Sequence, residues 1–182
     1  MFNLLYAFAQ HRPRAAKDCQ RQNDSGKASF LASNSQGITM NTPSEPVFGI
    51  GDTSFQAAGG NLGIERLVDD FYRFMDESEA AQDVRRLYPA DLTLAREKLA
   101  AFLSGWLGGP RLYAEKFGSI SIPQFHTRWT VGETERDAWL ACMQQAIALQ
   151  PYSAAFAQYL LAQLRVPAER IRQASVAMRH TD

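Results

Sequence analysis

Few of the 182 residues are of the kinds that cross-link a chain or bind a soft metal: there are two cysteines and three histidines. Cys19 and Cys142 make neither a disulfide framework nor a paired-cysteine zinc spacing, and so low a count suits a reducing compartment. Net charge is also missing. Nineteen basic and nineteen acidic residues cancel, which removes the electrostatic footprint expected for a nucleic-acid or membrane-surface partner. No apolar run approaches the ~20 residues that span a bilayer, and Met1–Ala9 has no basic residue ahead of it, as a signal peptide would. Strand-like alternation of apolar and polar residues is absent at any convincing length. Gly49-Ile50-Gly51 is too short and too far from a strand to cradle a dinucleotide, and Ser104 and Ser119 have no assignable base. The expectation is a soluble cytoplasmic protein with no nucleic-acid and no membrane partner.

What is present divides at about residue 46. From Gln20 to Pro46 the chain is rich in Gln, Asn, Ser, Thr, Gly and Pro, and its isolated apolar residues show no period. Such a segment buries too little to offset the entropy of ordering it, so residues 1–46 read as a disordered N-terminal extension. Met40, followed by Asn41-Thr42-Pro43, is an alternative translation start. Residues 47–182 read as one all-α domain. Phe48–Ala58 offers one or two helical turns before Gly59-Gly60, and Asn61 is placed to cap the next helix. That helix carries Ile64, Leu67, Val68, Phe71, Tyr72 and Met75 at helical spacing. A short helix is expected over Ala80–Leu87, ending at Tyr88-Pro89. Asp91 is a cap for another, with Leu92, Ala95, Leu99, Phe102, Leu103 and Trp106 on one stripe and Gly108-Gly109-Pro110 as its stop. Residues 111–130 have no long helical pattern and read as a loop. Thr130-Val131-Gly132-Glu133 fits a capping box for a helix through Trp139 to Leu149. The last helical stretch, Ala154 to about Met178, is expected to kink or divide at Pro167.

Four residues carry the chemistry. His126 is the single histidine between the extension and the end of the last helical stretch, set in Ile122-Pro123-Gln124-Phe125-His126-Thr127-Arg128-Trp129. A lone histidine beside apolar residues is more often a hydrogen-bonded core residue than a ligand, although neutral imidazole binds iron and other metals well. Tyr72, Tyr88 and Trp139 are aromatic side chains with polar tips on or beside apolar stripes. Buried, each needs a hydrogen-bond partner, and the bland reading is a backbone carbonyl. Taken together with one histidine in a loop, they suggest an apolar cavity with a polar, electron-rich guest.

The matching segments are Leu67-Val68-Asp69-Asp70-Phe71-Tyr72, Arg85-Arg86-Leu87-Tyr88-Pro89, Phe102 through Pro110, and Glu135-Arg136-Asp137-Ala138-Trp139-Leu140. In these, and in their order and spacing, residues 48–150 resemble the truncated haemoglobins of group II, the O-type bacterial globins. The resemblance implies a two-over-two helical sandwich around b-type haem, with paired glycines at 59–60 and 108–109 allowing close helix turns. It implies His126 as the iron ligand, Tyr72 as a donor to bound O2, and Tyr88 and Trp139 beside it in the distal pocket. Ala95 falls where vertebrate globins have a distal histidine, with Leu99 one turn later, so polar work passes to Tyr72, Tyr88 and Trp139. Phe102, Ile122 and Trp129 join the haem contacts, and Lys98 and Tyr113 are the candidates for the haem propionates. One departure stands out. Family members usually carry basic residues just before the proximal histidine, and often His-Ala-Pro-Phe from it. Here Phe125 precedes His126, and Arg128 is the available substitute for the missing propionate contact.

The resemblance thus implies reversible binding of O2 or another diatomic ligand. An alternative is a haem enzyme for nitric-oxide dioxygenation or peroxidase-type turnover, which needs a separate reductase. A haem-free helical interaction module is the third reading, and it leaves His126, Tyr72 and Trp139 without a use.

Overall fold

A computed structural model describes residues 47–118 and 129–179, and among these every regular element is helical. The expectations for the 1–46 extension, Ile122, Phe125, His126 and Arg128 lie outside the described residues. The helices are α1 (Thr53–Ala57), α2 (Gly60–Glu77), α3 (Gln82–Arg85, entered through a 3-10 turn at Glu79–Ala81), α4 (Thr93–Trp106), α5 (Leu112–Phe117), α6 (Glu133–Leu149) and α7 (Ala154–Arg179).

The long helices form where the apolar period is strongest. Ile64, Leu67, Val68, Phe71, Tyr72 and Met75 are all buried along one side of α2, and Leu92, Ala95, Leu99, Phe102 and Leu103 are buried along α4. Each fully buried large apolar side chain contributes roughly 1.5–3 kcal/mol of driving force, enough for these stripes to dictate which way each helix faces. α2 packs against both α4 and α6, while α6 packs against α7. The pairs α2/α4 and α6/α7 are the two layers of the expected sandwich, and α5 lies on α4.

Helix ends depart from the sequence reading more than helix interiors do. Asn61 does not cap α2. The cap is Gly59, in the left-handed region at φ 82°, a conformation glycine adopts without steric cost and asparagine less readily. Asn61 instead lies in the first turn, where its Oδ1 accepts a hydrogen bond from the Ser104 hydroxyl at 3.0 Å and ties α2 to α4. At α4 the cap position is Leu92, yet Asp91 still works one residue out, accepting from the Thr93 N–H at 2.9 Å. The α6 cap is Gly132, two residues later than the box read from Thr130, and Glu135 accepts from the Gly132 N–H at 2.7 Å. The stretch read as a loop after Pro110 holds the six-residue α5. Pro167 neither divides α7 nor ends it; the helix runs uninterrupted to Arg179.

Gly108 is more than a helix stop. Its φ is 99°, and a Cβ there would come within 1.9 Å of the Gly51 carbonyl oxygen. The end of α4 therefore closes against the turn before α1, an approach that only glycine permits.

Candidate functional site

α2 carries Tyr72 into the core between Val68 and Met75, and the residue is fully buried. Its ring meets Phe71 edge-on at 4.9 Å and Tyr88 edge-on at 5.6 Å, while Phe71 packs on Trp139 at 5.0 Å. Three separate elements thus bring Tyr72, Tyr88 and Trp139 together: α2, the turn after α3, and α6. Arg85 shapes that turn, donating to the carbonyls of Pro89 at 2.9 Å and Ala90 at 3.2 Å while it pairs with Asp76.

Although Tyr88 as a residue is only half-buried, its hydroxyl is fully enclosed, as is that of Tyr72. Neither hydroxyl has a partner in hydrogen-bond geometry. Each nevertheless influences the other's acidity, as expected of two rings 5.6 Å apart. Burial pushes the Tyr72 phenol well above its ordinary value, the neighbouring Tyr88 adds to the rise, and Arg96 opposes it. Burial likewise raises the Tyr88 phenol, with Trp139 and then Tyr72 pulling it back. Both therefore remain protonated, and remain donors, throughout the physiological range. An enclosed hydroxyl without a partner costs about 1–3 kcal/mol, a penalty that native cores seldom carry without reason.

The remaining predicted residues within the described range fall into two groups and a single residue, Trp129. Ala95, Leu99 and Phe102 are buried on α4, and Phe102 stacks on Trp106 at 6.2 Å. Lys98 and Tyr113 are brought together by Phe117: the Lys98 ammonium lies 5.2 Å from the Phe117 ring centroid, and the Tyr113 and Phe117 rings are 5.2 Å apart. Lys98 is partly buried, and that burial lowers its ammonium pKa against a smaller opposing effect of Glu97. It is not a simple solvated charge. Trp129 is half-buried, and its carbonyl accepts from the Ser175 hydroxyl at 2.7 Å.

Ser175 and Arg96 were not visible as site-related residues in the sequence. Ser175 is buried and also accepts from the Val131 N–H at 2.9 Å, so α7 holds the chain that enters α6. Arg96 lies 5.4 Å from the centroid of the Tyr72 ring. No periodic signal marks either one, because their partners are 27 to 46 residues away. Cys142, one turn beyond Trp139, is a buried thiol whose pKa burial raises, and it has no activated-nucleophile character. Ser104, bonded to Asn61 and to the Pro110 carbonyl at 3.1 Å, is structural.

These residues suit a haem. Buried apolar side chains on α2, α4 and α6 provide a dry surround, and the hydroxyls of Tyr72 and Tyr88 are enclosed within it, while Lys98 is a partly desolvated ammonium on α4.

Comparison with known proteins points the same way. A family model described as bacterial-like globin matches residues 53–172. The group 2 truncated hemoglobin YjbI of Bacillus subtilis is 35% identical over 94 residues, covering 51% of this chain and 67% of that protein. Among solved structures, the group II 2-on-2 hemoglobin of Agrobacterium tumefaciens superposes with a TM-score of 0.62 at 31% identity, over 71% of this chain and 97% of its own. A truncated oxygen-avid haemoglobin from Bacillus subtilis superposes with a TM-score of 0.58 at 28% identity, over 65% of this chain and 97% of its own.

Proposed function

The chain belongs to the bacterial-like globins, as a truncated haemoglobin of group II with the two-over-two fold and haem iron as the family's cofactor, and from that premise we propose that it binds O2 or another diatomic ligand reversibly between Tyr72 and His126. The observation that carries the reading is the pair of enclosed, unsatisfied hydroxyls on Tyr72 and Tyr88.

When bound, ferrous haem supplies a coordination position at which a diatomic ligand attaches and leaves. His126 would hold the iron, and neutral imidazole is well suited to that task. The Tyr72 hydroxyl would donate a hydrogen bond to the bound ligand. Because burial keeps this phenol protonated, the donor persists across the physiological pH range. Tyr88 stands edge-on to Tyr72 as the second donor, and the Trp139 indole lies beside them. Ala95 offers only a methyl group and neither donates nor blocks entry. Leu99 and Phe102 exclude water, which strengthens the hydrogen bond that Tyr72 makes. Ile122 and Trp129 are assigned to haem contacts. Lys98 and Tyr113 would meet the propionates, with Arg128 compensating for the apolar Phe125.

Residues 1–46 are assigned to an extension outside the domain, which spans 47–182, and the protein to the cytoplasm. None of the helices among the described residues is long and apolar enough to cross a membrane. Two donors converging on one ligand favour slow release, and this supports a second reading, nitric-oxide dioxygenation or peroxidase-type turnover with electrons from a separate reductase.

Absorption spectra of the purified protein, oxidised and then reduced, should show one b-type haem per chain. His126→Ala should lose most of that haem, and an unchanged Soret band would remove His126 as the ligand. Tyr72→Phe deletes a donor worth ~1.5–3 kcal/mol to a partly charged acceptor, so O2 dissociation should speed by about one to two orders of magnitude. Unchanged dissociation in both Tyr72→Phe and a Tyr72/Trp139 double variant would end the donor assignment.

A further inference from the structure

Near the start of α4, Arg96 reaches across to α2. Its Nη1 donates to the Asp69 carboxylate at 2.8 Å and to the Asp69 backbone carbonyl at 3.0 Å. The same guanidinium lies over the Tyr72 ring, 5.4 Å from its centroid, and Tyr72 follows Asp69 by three residues, on the neighbouring turn of α2. The ring is thus bounded by a cation, by Tyr88 edge-on at 82° and by Phe71 at 65°.

The ion pair lies on the wall of an open groove of about 330 Å³ between α2, α4 and α5, whose lining includes Val68, Asp69, Arg96 and Ala101. Val68 is one helical turn before Tyr72. The Arg96 side chain is 30% exposed and that of Asp69 65%. Pairs so open to solvent contribute little to stability. Their geometric effect is another matter, since two hydrogen bonds to one residue fix the direction of the guanidinium.

We propose that Arg96, locked to Asp69, is a positioning residue for Tyr72: it holds the ring so that the hydroxyl meets the bound ligand, and it sets a positive charge beside that donor. The inference rests on the reading of Tyr72 as the ligand's donor. Cation–ring attraction of this kind and direct hydrogen bonding differ in size, and the difference makes the two separable.

The test uses the full-length, haem-loaded protein with carbon monoxide as probe, reading the C–O stretching frequency alongside O2 dissociation. Tyr72→Phe should raise the stretching frequency and give the largest acceleration of O2 dissociation. Arg96→Leu should move both in the same direction, with dissociation faster by about 2- to 5-fold, the range an exposed cation–ring contact supports. Arg96→Lys should recover part of the shift, and Asp69→Asn should fall between. Raising salt to about 1 M should move the wild type toward Arg96→Leu, because the pair is open to screening, and should leave that variant unmoved. The thermal midpoint should change by less than about 4 °C. Should Arg96→Leu fail to fold, the salt titration and Arg96→Lys decide. If Arg96→Leu leaves frequency and dissociation unchanged while Tyr72→Phe moves them, Arg96 does not position the tyrosine. If Tyr72→Phe itself moves neither, the donor reading fails first and the proposal with it.

Discussion

Tyr72 and Ser175 are both buried hydroxyls, and the molecule treats them in opposite ways. Ser175 donates to the Trp129 carbonyl and accepts from the Val131 N–H, at 2.7 and 2.9 Å, and Ser104 is likewise engaged by Asn61 and Pro110. Where α2, the turn after α3 and α6 meet, the hydroxyls of Tyr72 and Tyr88 have no bond of this quality. The junctions that only hold the chain together are satisfied within the chain. The aromatic cluster keeps donors in reserve, which supports the proposal that their acceptor comes from outside the polypeptide.

The contrast breaks most sharply at Ser175. Ser175→Ala leaves the Val131 N–H and the Trp129 carbonyl without their partner and should lower stability by roughly 1–3 kcal/mol in urea denaturation. A loss under ~0.5 kcal/mol would mean that the anchor is dispensable, and the comparison would lose its satisfied side.

Titration separates the same two regions at opposite ends of the pH scale. The raised Tyr72 phenol keeps its proton where an unfolded chain, with a value near 10, releases it. Stability linked to it is complete below that pH and drains as pH rises toward the folded value, by up to about 1.4 kcal/mol per pH unit. On the other side, Arg172 and then Arg136 hold the Glu169 carboxyl down to about 2, from an ordinary 4.5. Its contribution is present above 4.5 and is lost as pH falls toward 2. Tyr72→Phe should therefore flatten the alkaline limb of a stability–pH curve and leave the acid limb alone. Equal effects on both limbs would contradict the assignment.

In haem-free protein the comparison predicts a reversal. Tyr72→Phe removes an unsatisfied hydroxyl and keeps the ring, so it should leave stability unchanged or raise it by up to ~1 kcal/mol. A clear loss would reveal a partner for the hydroxyl within the chain. The smallest effect is expected from removing residues 1–39: a chain begun at Met40 should keep its haem content and stay within ~0.5 kcal/mol. A drop beyond ~2 kcal/mol would place the extension on the domain.

The sequence made the apolar stripes legible because helical period and burial are the same physical fact. Every residue of the α2 stripe from Ile64 to Met75 is buried, and the meeting of Tyr72, Tyr88 and Trp139 follows from stripes that face one another. Caps were less legible. Whether Asn61 caps α2 or accepts from Ser104 depends on α4 arriving 43 residues later, and no local pattern records that. Arg96 was hidden for a similar reason: an arginine on a helix reads as solvated until Asp69 and Tyr72 are placed beneath it. His126 and Ile122 stay at the level of the family resemblance, outside the described residues.

The unbroken course of α7 through Pro167 has a consequence for cooperativity. Proline has no N–H to give, so the Gln163 carbonyl receives no helical bond from it, and the backbone ladder is thinnest at that step. Beyond it lie Ala168 and Ile171 in the core, Glu169 and Arg172 bridging to α6, and Ser175. That half of the helix is set to open as its own unit in native-state hydrogen exchange, before the core of α2 and α6. When it opens, Trp129 and Val131 lose their anchor at the same moment, and exchange there should report the loosening of α7 before any global unfolding.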